Sequence, residues 1–122
     1  MGRVAIIGVG QSHFVRSYPG SIRELVFEGF REAVTDAGIV SGDIDASVVC
    51  SAPEYDKQRS PAGVLAEYLG LNPQPTFYVE TLCSSSSTGL KLADSATCSG
   101  ARLPAAANSC PTQFAEIRPH GV

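Results

Sequence analysis

Cys83 is the residue of this 122-residue chain best placed to do covalent chemistry. It lies in the stretch FYVETLCSSSSTGL, residues 77–90, where an apolar run ends and four serines, a threonine and a glycine follow the thiol. With a strand before it and a helix after it, the thiol stands at a sharp strand-to-helix turn. Unpaired backbone N–H groups and the positive end of the helix dipole face it there, and both favour the nucleophilic thiolate. Ligands of open α/β sheets gather at the carboxyl ends of strands, where this turn lies. The small residues Ser84, Ser85, Ser86, Ser87 and Gly89 would let the helix sit deep between layers. They would also let backbone N–H groups approach a substrate carbonyl as oxyanion donors. A plainer reading stands beside this one, since cysteine is common in cores and serine runs are common in linkers. Spacing alone leaves both open.

The other cysteines offer less. Cys50 sits inside an apolar run and reads as a core residue. Cys98 and Cys110 have no CxxC partner, and the two histidines, His13 and His120, lie near opposite ends of the chain. Zinc-type spacing is absent, and a disulfide framework is not expected without export. A net charge of −3 with no basic cluster argues against nucleic-acid binding. The hydrophobic fraction of 43% and charged fraction of 17% suit a soluble globular domain. Val4–Ile7 is too short an apolar run for a secretory signal or a membrane span, and Ile6 stands where a myristoylation motif needs Ser or Thr. The expectation is a cytoplasmic protein with no membrane or nucleic-acid partner.

Three strands and three helices must position the thiol. Residues Arg3 to Gly10 predict a first strand covered on both faces. Ser21 with Glu24 forms a capping box, and Ile22, Leu25, Val26, Phe30, Ala33, Val34 and Ala37 recur at helical spacing until Gly38. Asp45 to Ala52 predicts a second buried strand. Ser60 and Pro61 open a helix that Gly70 ends, and Thr76 to Glu80 predicts a third strand. A third helix starts at or just after Cys83 and runs through Leu90, Leu92 and Ala93. The order β-α-β-α-β-α implies an α/β layered fold with a mainly parallel sheet.

Past Ala96 the character changes. Pro104, Pro111 and Pro119 punctuate a segment with no run suited to a central strand, so residues 97–122 are expected to be an irregular or disordered tail after a domain at 1–96. Two motifs are also excluded. Gly8 and Gly10 invite a dinucleotide fingerprint, but its third glycine falls on His13, and the helix starts too far away to receive a pyrophosphate. Close packing explains these glycines better, and His13 reads as a solvated or hydrogen-bonded loop residue. The hydrolase elbow G-x-S-x-G fails because no glycine precedes any of the serines at the required spacing.

VETLCSSSSTGL resembles the nucleophile segment of the thiolase superfamily, especially the lipid-transfer-protein-like thiolases and archaeal acetyl-CoA acetyltransferases. VAIIGVGQSHF resembles that group's opening strand, SIRELVFEGFREAVTDAGI its first helix and DIDASVVCSAP its second strand, in consecutive order over residues 3 to about 96. The resemblance implies an incomplete thiolase-like half. It also implies that Cys83 accepts an acyl group from acyl-CoA, for Claisen condensation or thiolysis, with the CoA thioester as substrate and no tightly bound cofactor or metal. It assigns the activating histidine and second acid/base residue to a C-terminal half, and neither role carries onto His120, Cys98 or Cys110. It further implies a homodimer or a complementary thiolase-like chain as partner. After KLADSA the likeness stops, so a truncated or frame-shifted chain, unable to turn over alone, is expected. The alternatives are a non-catalytic interaction subunit and an inert product.

Overall fold

The computed structural model describes residues 4–52, 59–98, 103–108 and 112–119. Among these the elements are β1 (Val4–Gln11), α1 (Ile22–Ala37), β2 (Ser47–Ser51), α2 (Pro61–Tyr68), β3 (Thr76–Val79), α3 (Ser85–Cys98), β4 (Leu103–Asn108) and β5 (Thr112–Pro119). The strands form one sheet in the order β1-β5-β4-β2-β3. β2 runs parallel to β3 and β4, whereas β5 runs antiparallel to β4 and β1. Four strands therefore share a direction and β5 opposes them.

Helix boundaries follow the local chemistry. The Glu24 carboxylate accepts the Ser21 backbone N–H at 2.6 Å and the Ser21 hydroxyl at 3.0 Å, closing the expected box at the start of α1. Gly38 ends α1 at φ +68°, a left-handed conformation that costs glycine little. Pro61 opens α2 at its first position, where a missing N–H is no loss.

β2 contributes to both hydrophobic cores. Val49 faces α1 and α2, within a core of Val26, Phe30, Ile44, Leu65 and their neighbours. Val48 and Cys50 face the other way, onto Ala93 of α3. The alternation of a strand thus supplies both cores of a helix–sheet–helix sandwich. At roughly 1.5–3 kcal/mol for each large aliphatic side chain buried, these contacts dominate the stability of the fold.

Two expectations are corrected. Strand β1 is not covered on both faces: it is the terminal strand of the sheet, and Ile6 and Val9 remain exposed. Residues 97–122 do not form only irregular chain, because β4 and β5 lie there and complete the sheet. The prolines permit it by position. Pro104 precedes the Ala105–Asn108 stretch that pairs with β2, and Pro119 is the last residue of β5, paired with Val4 at the start of β1, so both lie near strand ends. Cys110, Pro111 and His120 lie outside the described residues.

The edge of β1 is closed by its own helix. Gly8 and Gly10 lie so near α1 that a Cβ on Gly8 would overlap the Ala33 carbonyl oxygen, and one on Gly10 the Gly29 carbonyl oxygen. That approach lets Asp36 accept the Val9 N–H and Glu32 accept the Gln11 N–H, each at 2.9 Å. Side chains four apart on one helix face thereby satisfy two edge donors that would otherwise template strand addition. Replacing both Glu32 and Asp36 by alanine is expected to speed amide exchange at Val9 and Gln11 about tenfold, from the loss of a charge-assisted hydrogen bond at each. Unchanged exchange by NMR would show that water serves these amides equally well.

Candidate active site

The site is built on the turn between β3 and α3. β3 ends at Val79, and a 3₁₀ turn over Leu82–Ser84 passes into α3 at Ser85. Leu82 has φ +52°, which a residue with a Cβ adopts at a cost on the order of 1–3 kcal/mol. Something must hold it there, and hydrogen bonds do. Glu80 Oε1 accepts the Leu82 N–H at 2.9 Å. The Thr81 N–H donates to Ser85 Oγ at 2.8 Å, and Ser85 Oγ donates to the Leu82 carbonyl at 2.7 Å. Ser84 Oγ donates to the Thr81 carbonyl at 2.8 Å, and the Thr81 and Thr88 hydroxyls lie 3.0 Å apart.

The immediate product of this strained turn is an exposed thiol. Cys83 follows Leu82 directly, is free and faces solvent. Cys50 is its opposite: free but fully buried, with burial pushing its thiol up to about 11. The two meet through α3. A Cβ at Gly89 would overlap Cys50 Sγ, so glycine at this position lets the helix bearing the turn rest on β2. The serine run is therefore not a linker; of its small residues Ser85 and Gly89 are buried against the sheet side, while Ser84 and Ser87 stay exposed.

The remaining residues singled out from the sequence separate clearly. His13 is exposed, with Nδ1 3.4 Å from Glu28 Oε2. Tyr18 donates to the same carboxylate at 2.9 Å, and the Tyr18 hydroxyl followed by His13 holds Glu28 below the ordinary carboxylate range. This cluster fastens the loop after β1 to α1. Glu80 and Ser85 were visible in the VETLCSSSSTGL stretch, but nothing in their spacing revealed which backbone groups they would bind. Among the described residues no three His, Cys, Asp or Glu side chains converge as a metal site. No helix among them is long and apolar enough to cross a membrane.

An exposed cysteine after a left-handed residue, between the end of a sheet strand and the start of a helix, is an arrangement suited to nucleophilic chemistry. No protein-family model matches the chain. Over 103 residues it is 42% identical to an acetyl-CoA acetyltransferase of Methanocaldococcus jannaschii, which takes in 83% of this chain and 26% of that protein. It is 35% identical over 102 residues to an acetyl-CoA acetyltransferase of Methanothermobacter thermautotrophicus, covering 82% of this chain and 27% of that protein. The chain thus spans about a quarter of the length of these relatives. Among solved structures, the 3-oxoacyl-[acyl-carrier-protein] synthase III of Aquifex aeolicus superposes with TM-score 0.79 at 13% identity, over 98% of this chain and 55% of that one. The Ltp2-ChsH2(DUF35) aldolase superposes with TM-score 0.71 at 21% identity, over 85% of this chain and 27% of that one. The chain has the thiolase-like fold over part of one half, and its sequence is similar over about four fifths of its length to acetyl-CoA acetyltransferases.

Proposed function

We propose that this chain carries the acyl-accepting segment of a thiolase-type acyltransferase, with Cys83 as the residue that takes an acyl group from an acyl-CoA thioester. The observation that carries the reading is the exposed Cys83 thiol held behind the left-handed Leu82 at the carboxyl end of β3. In the step proposed, Cys83 Sγ attacks the thioester carbonyl and a new C–S bond forms. The bond to the CoA sulfur breaks, and the proton lost by Cys83 ends on the released CoA thiol. The relatives named acetyl-CoA acetyltransferase support acyl-CoA as the donor.

Among the described residues no hydrogen bond or ion pair reaches the Cys83 thiol, and the one histidine they include, His13, is engaged with Glu28. Without a general base, acylation is expected to run on the order of 10²–10⁴-fold below a base-assisted rate, and condensation or thiolysis with a second acyl-CoA is not expected from this stretch alone. The base comes from further protein, either more of the same polypeptide or a partner chain. Exposed Leu90 and Ile6, with Val4, Ser87, Lys91 and Asp94, line a cleft of about 440 Å³ between α3 and β1, an apolar surface suited to such a neighbour. A partner chain is further favoured by the structural likeness to an aldolase whose name joins Ltp2 to ChsH2. Among the described side chains Cys50 and Cys83 are free, which fits a reducing, cytoplasmic setting.

The reading is tested by incubating the chain with an acyl-CoA and weighing it intact. The expected result is one acyl adduct, removable by hydroxylamine as a thioester is, and absent from Cys83→Ser. An adduct that persists in Cys83→Ser would refute the assignment.

A further inference from the structure

We infer that Ser85 is the positioning residue of the Cys83 turn, an inference that rests on the reading of Cys83 as acyl acceptor. Ser85 is fully buried, where an unpartnered hydroxyl would be costly. Its hydroxyl is fully engaged, and its hydrogen bonds are to the turn. It accepts from the Thr81 N–H at 2.8 Å and donates to the Leu82 carbonyl at 2.7 Å, so one oxygen bridges the residues on either side of the left-handed φ. The Ser51 carbonyl, at the end of β2, lies 3.4 Å from the same oxygen, a longer and competing acceptor for its one proton. Other hydroxyl bonds in the turn belong to the exposed residues Ser84, Thr81 and Thr88, where water can replace them. Ser85 alone among these hydroxyl residues is shielded from water, and its hydroxyl clamps Leu82 in the conformation that presents Cys83.

Leu82 supplies the test, because glycine there removes the Cβ penalty of positive φ. Single-turnover acylation of Cys83 by acyl-CoA is followed across a range of donor concentrations in the native chain, Ser85→Ala, Leu82→Gly and the double variant. Amide exchange at Thr81 and Leu82 is measured in parallel. Ser85→Ala is expected to lower the maximal acylation rate about tenfold and to speed exchange at Thr81 by a similar factor, from the loss of a buried hydrogen-bond pair. The half-saturating acyl-CoA concentration is expected to stay the same. Leu82→Gly in the Ser85→Ala background is expected to restore most of the rate, which a general loss of stability would not allow. An acylating native chain whose Ser85→Ala variant matches it in rate overturns the Ser85 assignment alone. A rate loss that Leu82→Gly leaves unrepaired also overturns it. A native chain that takes up no acyl group overturns the Cys83 reading instead, and does so before any variant is compared.

Discussion

Alanine at Gly89 is expected to destabilise the fold by about 1–3 kcal/mol, the usual cost of forcing one extra carbon into a packed core. The added Cβ would occupy the space of Cys50 Sγ, while its other neighbours, Cys50 Cβ and Val48 Cγ1, lie at an ordinary 3.6 Å. One atom therefore makes nearly the whole clash. Cys50→Ala removes that atom, so the double variant should be more stable than the sum of the two single effects predicts, by about 0.5–3 kcal/mol. Urea denaturation of the four proteins measures the coupling directly. Strict additivity would mean that α3 does not rest on Cys50 and that the Cys83 turn is seated in some other way.

Iodoacetamide at neutral pH is expected to alkylate Cys83 two to three orders of magnitude faster than Cys50. Thiolate is the reacting form. Burial pushes the Cys50 thiol up to about 11, which alone lowers its thiolate fraction at neutral pH about a hundredfold. Steric enclosure by Gly89 and Val48 slows it further. Peptide mapping after timed quenching reads both rates in one sample. Comparable rates at the two positions would show that α3 opens readily from β2.

Much of this arrangement was legible from residue types alone. Ser21 with Glu24 and Gly38 mark the ends of α1 because backbone termini need partners, and Pro61 marks the start of α2 because its missing N–H costs nothing there. The thiol at a strand-to-helix turn was equally legible, since FYV and the small residues after Cys83 have different structural preferences. Strands β4 and β5 were not legible. LPAAAN has alanines where branched residues usually announce a strand, and its pairing with β2 and β5 is set by tertiary context. The exposure of β1 depended on its place in the sheet, which its apolar run does not encode. Within the site, Cys83 could be found by its chemistry. Ser85 could not be told apart from Ser84, Ser86 and Ser87, because four adjacent serines look alike until a helix assigns one of them to the interior.

The most direct test of the account is to digest the chain after incubation with acyl-CoA and locate the acyl group. The expected result is a thioester on the peptide carrying Cys83, with Cys50 unmodified. No adduct, or one distributed over other cysteines while Cys83 stays free, would contradict the claim that this turn was built to accept an acyl group.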